Sequence, residues 1–409
     1  MSVAQTIQEK FDHELWALYR ANPPKTFAVA VSGGSDSMAL LHMAKDWADR
    51  NDVTVQAVTV DHGLRPEAAD EAAYVAQIAR SLGVKHDILH WDKRPVHNMQ
   101  AEARTARYDL IDQWRGPVTD VLLGHTATDQ QETFLLALKR GSGLDGLSAM
   151  PQVRTYRQMR LIRPVLSFAR DELRAYLTAR SIHWVEDPSN TNSDYDRIKL
   201  RQAEPDLSVL GLTHDKFRLA TLHLQRARDA LDFYVREAAD RVASEKYGSV
   251  VLTPEPTFEL PEEVQFRLIT YAIQYVTSAP YKPRFSALSE ALEALKVGRG
   301  FSLSGTLLFW YKGAIWITRE YQAIKDVECD PGQIWDSRWC LTAPYGRVRA
   351  LGPQGCAQVP KEAKENLPHK VAMSLPALWD KDQRCICPIL SENSQDAAIL
   401  VTSFKESLP

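Results

Sequence analysis

The sequence predicts an α/β protein: a mostly parallel sheet with helices in the first half, then a mainly helical domain and a small β-rich module. Three observations predict it. Short apolar runs alternate with helix-length segments through the first half, the pattern of βαβ units. From about Thr213 to Leu295 apolar residues recur at helical spacing. After about Asp326 the chain is punctuated by Pro and Gly between short apolar runs. A chain of 409 residues exceeds one ordinary core and suits two or three domains, here 1–210, 211–325 and 326–409.

Phe27 to Val31 reads as a buried strand, and Met38 to Ala44, after a Ser/Gly turn, as helix. Val53 to Val60 is a second strand, Pro66 to Leu82 a helix stopped by Gly83, His86 to Trp91 a third strand, and Gln100 to Trp114 a helix before Gly116-Pro117. Val121 to Leu123 and Asp129 to Lys139 repeat the strand and helix. A sheet built this way takes its ligands at the carboxyl ends of its strands. Leu161 to Leu166 gives a short strand, Phe168 to Arg180 a helix, and Asp187 to Ser193 a polar loop at the edge of the first domain. Leu224, Leu231, Val235, Ala238 and Val242 mark one long helix between Thr213 and Lys246, followed by helices centred on Val264 to Val276 and Ser286 to Leu295. Gly305 to Arg319, rich in aromatic and β-branched residues, reads as a hairpin about Lys312-Gly313. In the last module, Val348 to Leu351 and Ala397 to Thr402 are the apolar runs.

Bulk charge decides little. With 49 Lys+Arg against 52 Asp+Glu, any nucleic-acid site must be a local basic face. No segment has the uninterrupted apolar length of a membrane span, and the start mixes charges into an amphipathic helix rather than a signal peptide. The expectation is a soluble, cytoplasmic protein without membrane contact. All 5 cysteines lie between Cys329 and Cys387 with no CxxC pair, so a disulfide framework is not expected. Cys385 and Cys387 read as two thiols on one strand face rather than as a metal site.

Ser32-Gly33-Gly34-Ser35-Asp36-Ser37 lies between the first strand and the first helix of the sheet. Two adjacent glycines let main-chain N–H groups converge on an anion, the hydroxyls add donors, and the helix presents its positive end. Alone, such a hexapeptide is commonly a Ser/Gly turn with Ser35 or Asp36 as helix cap. It lacks both the GxxxxGK[ST] form and the GxGxxG form of other nucleotide loops. SGGSDS instead resembles the PP-loop of the N-type ATP pyrophosphatases, which have an adenine nucleotide alpha hydrolase-like fold. That resemblance implies cleavage of ATP between the α- and β-phosphates, with Mg²⁺ and N–H donors stabilising the departing pyrophosphate. Asp36 is then a Mg²⁺ contact.

Further segments follow in order: Val60 to Glu67, Ala101 to Tyr108, Gly124 to Thr133, Arg140 to Gly143, Gly146 to Ser148, Arg163 to Leu166, and Asp187 to Asn190. The series resembles the tRNA(Ile)-lysidine synthetase family through the first half of the chain, and weakens after about Gly211. The resemblance implies conversion of the wobble cytidine of tRNA(Ile) with a CAU anticodon to lysidine. The C2 oxygen would attack the α-phosphate of ATP, and the ε-amine of L-lysine would then displace AMP from C2. That amine must be neutral, and its ordinary pKa of ~10.4 means a base or a desolvating pocket has to help.

His125, Asp129 and Glu132 follow the fourth strand, the two acids sharing one helix face. Such carboxylates can hold a lysine ammonium or, with Asp36, share Mg²⁺ with ATP oxygens. As isolated helix-start acids they would only complement the helix dipole. The resemblance points to Arg107 and Arg197 as cations near the activated base or its phosphates. Arg104 is a rival to Arg107 three residues away, and His62 is a further strand-end residue with a binding or a purely structural reading. Where family members often carry two histidines and two acids, this chain has His125-Thr126 and Thr128-Asp129, which concentrates the burden on His125 and Asp129.

Arg154, Arg157, Arg160, Arg163, Arg170 and Arg174, interrupted by Tyr156 and Phe168, suit the phosphates and exposed bases of a single-stranded anticodon loop. Lys216, Arg218, Arg226, Arg228, Arg236 and Arg241 would carry the tRNA stem. Members of the family are commonly dimers, so a homodimer is one expectation. Three rivals are weighed. A tRNA thiolase would need cysteines near the sheet, and residues 1–328 have none. A small-molecule PP-loop ligase would not need the extra helical domain. A regulator without turnover would not need His125, Asp129 and Glu132 together.

Overall fold

The computed structural model describes residues 2–20, 22–63, 68–91, 99–186, 196–343, 346–391 and 398–409. Leu64 to Glu67, the end of one motif, and the Asp187 to Ser193 loop lie outside them. The chain divides into two compact units, Met1–Arg228 and Asp229–Pro409.

The first unit is built on helix α1 (Val3–Tyr19), strand β1 (Thr26–Ala30), α2 (Ser35–Arg50), β2 (Thr54–Asp61), α3 (Ala68–Ser81), β3 (Lys85–His90), α4 (Met99–Trp114), β4 (Asp120–Leu123) and α5 (Ala127–Lys139). The one-turn α6 (Leu144–Leu147), β5 (Val153–Tyr156), β6 (Met159–Ile162), α7 (Arg170–Ala179), α8 (Asp196–Gln202), α9 (Glu204–Val209) and α10 (His214–Val242) follow. The sheet order is β3-β2-β1-β4-β6-β5, parallel except for the edge strand β5. Strand β1 is apolar on both faces because it is central: Phe27, Ala28 and Val29 are fully buried. Edge strand β3, with charged and half-buried residues, is the opposite case.

One face of the sheet is covered by α1, α2 and α7. Ile7, Phe11, Leu15 and Tyr19 recur every fourth residue on α1 and pack with α2 around Trp47, which meets Trp16 edge-on at 5.2 Å. The other face buries Tyr108 and Ile111 of α4 against Ala28, Val121 and Leu161. Successive connections run from β1 outward to β2 and, on the other side, to β4. The strand order therefore reverses between β1 and β4, and their carboxyl ends form the crevice where α/β sheets bind ligands.

In the second unit the long helix α10 ends at Val242, short of Lys246. Ala243–Lys246 and Ser249–Leu252 instead form a hairpin turning on Tyr247 and Gly248, both at positive φ. A two-residue turn of that kind suits a right-twisted hairpin, and Val250 and Leu252 prefer the strand, which buries them. These strands join the expected hairpin about Lys312-Gly313, where Tyr311 pairs with Ala314, in a five-stranded sheet. Helices Glu262–Thr277 and Phe285–Lys296 pack on it. Two small sheets complete the unit, and they include Arg347–Ala350 and Ala398–Leu400. Among the described residues no helix is long and apolar enough to cross a membrane.

Candidate active site

Residues 32–34 turn sharply from β1 into α2. Gly33 has φ +86°, which an L side chain rarely adopts, and its carbonyl accepts from Val185 N–H at 2.9 Å. Gly34 is the N-cap of α2. The first N–H groups of a helix have no partner within it, so the start of α2 presents donors to the crevice. Ser37 Oγ accepts from Ser32 N–H at 3.1 Å and donates to the Gly34 carbonyl at 3.0 Å. That hydroxyl therefore braces the loop. Ser35 Oγ donates to Asp36 Oδ1 at 3.2 Å.

Gly124, at the end of β4, explains how the second wall of the site comes so close. A Cβ there would lie 3.1 Å from Ser37 Cα and N and 3.2 Å from the Asp36 carbonyl carbon. Any larger residue would have to push the first turn of α2 back by a few tenths of an ångström, so the glycine lets the end of β4 lie against it. Two residues on, Thr126 caps α5: its N–H and Oγ donate to Asp129 Oδ2 at 2.8 and 3.0 Å, closing a capping box. Ala127 N–H donates to the Phe168 carbonyl at 2.8 Å and so fixes the start of α7 beside the start of α5.

Arg170, the first residue of α7, joins the two acidic positions. Its Nε donates to Asp36 Oδ2 at 3.0 Å and its Nη2 lies 3.5 Å from Asp129 Oδ1. Burial pushes the Asp36 carboxyl above the usual carboxylate range, Arg170 opposes that shift, and Asp129 adds to it. One turn along α5, Glu132 is 2% exposed. It accepts from Arg201 Nε at 2.6 Å, with Arg197 Nε 3.8 Å from its other oxygen. Burial raises Glu132 too, against the pull of Arg201.

His125 is held neutral, its pKa pushed down to about 3 by burial and by Arg163, with Arg104 and Arg107 adding to the effect and Asp129 opposing it. Its Nδ1 is buried without a hydrogen-bond partner. Arg107 Nη2 donates to His62 Nε2 at 3.2 Å, and His62 is likewise pushed down, to about 4, by burial and Arg107. Arg104 instead lies over the Tyr108 ring at 5.7 Å. The structure thus joins Asp36 to Asp129 through Arg170, sets Glu132 against Arg201 and Arg197 and Arg107 against His62, and leaves His125 within electrostatic reach of both Asp129 and Arg107.

The Arg-rich stretch is not one surface. Arg163 is 1% exposed and donates to the Pro151 carbonyl, and Arg170 belongs to the crevice. Arg157 pairs with Asp109 and Asp112, and Arg174 with Glu186. Among the described residues no cluster of three or more His, Cys, Asp or Glu side chains is arranged to hold a metal ion. Asp36 and Asp129 form a smaller set, two carboxylates converging on one cationic group.

Residues 7–205 match the family model described as PP-loop domain. Over 388 residues the chain is 39% identical to the tRNA(Ile)-lysidine synthase of Ruegeria pomeroyi, covering 93% of this chain and 92% of that one. The chain belongs to the tRNA(Ile)-lysidine synthase family. A second member, from Wolbachia pipientis wMel, is 36% identical over 375 residues, 88% of this chain and 83% of the relative. Among solved structures, the U34-tRNA thiolase NcsA of Methanococcus maripaludis overlaps 54% of this chain and 78% of its own at a TM-score of 0.46 and 13% identity. The matched PP-loop domain contains both the 32–37 loop after β1 and the segment from Gly124 to Glu132 after β4.

Two residues of the site were not assigned to it from sequence, Arg170 and Arg201. Arg201 carried a usable signal: it lies four residues after Arg197 in α8, on the same helical face. Arg170 carried none, because only the fold brings the start of α7 to α5.

Proposed function

We propose that this chain ligates L-lysine to C2 of the wobble cytidine of tRNA(Ile) with a CAU anticodon, consuming ATP and releasing pyrophosphate and AMP. The observation that carries the reading is the close apposition of the 32–37 loop and the end of β4 at Gly124. It supports a phosphate cradle and an acid/imidazole cluster acting on the same atoms.

In the first step the C2 oxygen of cytidine attacks the α-phosphorus, and the bond to the β-phosphate oxygen breaks. The N–H groups at the start of α2 receive the charge that grows on the outgoing diphosphate. Asp36 and Asp129 would hold Mg²⁺, which supplies further neutralisation of phosphate charge. Arg107 stands on the His62 and His125 side of the crevice, where a cation suits an adenylated base. In the second step the neutral lysine amine attacks C2, the former C2 oxygen leaves on AMP, and the amine nitrogen loses a proton. Glu132 and Arg197 form the polar wall that receives the amino acid, with His125 a neutral hydrogen-bonding group. Residues 211–325 and 326–409 carry the body of the tRNA. The cytoplasm is the compartment and a homodimer the assembly.

The test is a mass measurement on CAU-anticodon tRNA incubated with the purified chain, ATP and lysine. The expected result is a lysine-dependent mass gain with one AMP and one pyrophosphate per tRNA modified. Formation of ADP, or a tRNA unchanged with both cosubstrates present, would overturn the reading.

A further inference from the structure

We propose, resting on the reading just given, that Arg170 is the resident counter-ion of the Asp36–Asp129 pair: it competes with the divalent cation for these carboxylates and, once displaced, serves the departing diphosphate. Three observations lead there.

First, the carboxylate oxygens are divided between fixed donors and Arg170. Asp36 Oδ1 accepts from Ser35 Oγ, and Asp129 Oδ2 from Thr126 N–H and Oγ. The other oxygen of each, Asp36 Oδ2 and Asp129 Oδ1, faces the guanidinium. These are the oxygens through which the two acids converge. A divalent cation drawn between them would meet the positive charge of Arg170 at 3.0 and 3.5 Å from the same oxygens, so the two cations compete for the pair through their like charge.

Second, the backbone under Arg170 is anchored while its side chain is not enclosed. Ala169 N–H donates to Glu172 Oε2 at 2.7 Å, Glu172 pairs with Lys10 at 2.8 Å, and Lys10 Nζ stands 4.2 Å above the Phe168 ring. With Ala127 bonded to the Phe168 carbonyl, the start of α7 is pinned to α1 and α5. The Arg170 side chain keeps 21% of its surface exposed, so it can turn while the helix stays.

Third, among the described residues Arg170 alone is ion-paired with both acids. A purely structural bridge would order the carboxylates, and its removal would weaken a metal site. A competitor does the reverse.

The experiment titrates Mn²⁺, read by its electron paramagnetic resonance signal, into wild-type chain and R170A without nucleotide. The expected result is Mn²⁺ binding about tenfold tighter in R170A, a change of about 1.4 kcal/mol, since one unit of opposing charge is gone. Pyrophosphate release with ATP, lysine and tRNA should fall about 100-fold, as when one donor to a developing anion is removed, and millimolar guanidinium ion should restore part of it. Weaker or unchanged Mn²⁺ affinity in R170A overturns the proposal. If R170A does not fold, R170M serves: it keeps an unbranched stem and removes the charge, so tighter Mn²⁺ binding is again expected, and unchanged affinity again overturns. A wild-type chain that fails to modify tRNA would overturn the functional reading while leaving the Mn²⁺ comparison to judge Arg170.

Discussion

Replacing Gly124 by alanine tests how closely the phosphate loop and the end of β4 must approach. The new Cβ would sit 3.1 Å from Ser37 Cα and N, whereas carbon atoms in good contact stand about 3.5–4.0 Å apart. The neighbour is main chain at the start of α2, so no flexible side chain can yield, and the first turn of α2 has to retreat by roughly 0.4 Å or more. Gly124 has no positive φ, so the substitution adds bulk without conformational strain. Overpacking of this kind costs about 1–3 kcal/mol. In a unit of this size each kcal/mol lowers Tm by about 2–4 °C.

The effect on catalysis should exceed the effect on stability, because the retreat moves the N–H donors away from the reacting phosphate while leaving the rest of the fold in place. A misplacement near 1 Å can cost about 100-fold, so a smaller shift should lower kcat for pyrophosphate release by about 10-fold, with KM for ATP less affected. The assay is steady-state pyrophosphate release with CAU-anticodon tRNA and lysine, beside a thermal melt. A G124A chain with wild-type kcat and wild-type Tm would refute the reasoning that β4 and α2 touch through this glycine.

Removing the partner of Glu132 in R201M leaves a 2%-exposed carboxylate facing Arg197 at 3.8 Å. Breaking a buried pair this way costs about 3–5 kcal/mol, and a melt that does not move would count against the pairing. His125 and His62 have folded pKa values near 3 and 4, below the ordinary value of about 6.5. The unfolded chain therefore takes up protons first, and the stability these groups contribute is complete above about pH 6.5 and lost as pH falls toward their folded values. H125Q should accordingly show a shallower fall of Tm between pH 6.5 and pH 5 than wild type, and parallel curves would contradict a neutral buried imidazole. In single turnover with pre-adenylated tRNA, the lysine step should level off well below pH 10.4, the free amine value. A rate climbing tenfold per pH unit to that value would show that the pocket does nothing to the amine.

The alternation of apolar runs and helices made the parallel sheet legible, since β1 and β4 carry residues such as Val29 and Leu122 that suit only a strand buried on both faces. The candidate site was legible as separate motifs, because strand-end residues in such a sheet converge by topology. The end of α10 was not: Ala243 to Lys246 continue a helical pattern, and their pairing with Ser249–Leu252 is decided by Gly248 and by Val250 and Leu252 finding the core of the second sheet. Thr126 read as a lost histidine neighbour, yet its role is local, for Thr126-x-x-Asp129 is a capping box that aims the carboxylate. The Arg stretch misled for the converse reason. Charge along a sequence does not say which guanidinium the fold takes inside, and Arg163 and Arg170 went in while Arg154 stayed out.

The pairing of the acids bears on how lysine is made reactive. Asp129 faces Arg170 and Glu132 faces Arg201 and Arg197, so neither carboxylate is left as an isolated negative charge that would stabilise an ammonium. His125, near 3 in pKa, is far too weak a base to strip a proton from an amine at equilibrium. Cations close by and partial burial both favour the uncharged form of an incoming amine. In the proposed reaction the deprotonation required of lysine therefore follows from the electrostatic balance of the crevice, in which Glu132 holds Arg201 and Arg197 in place.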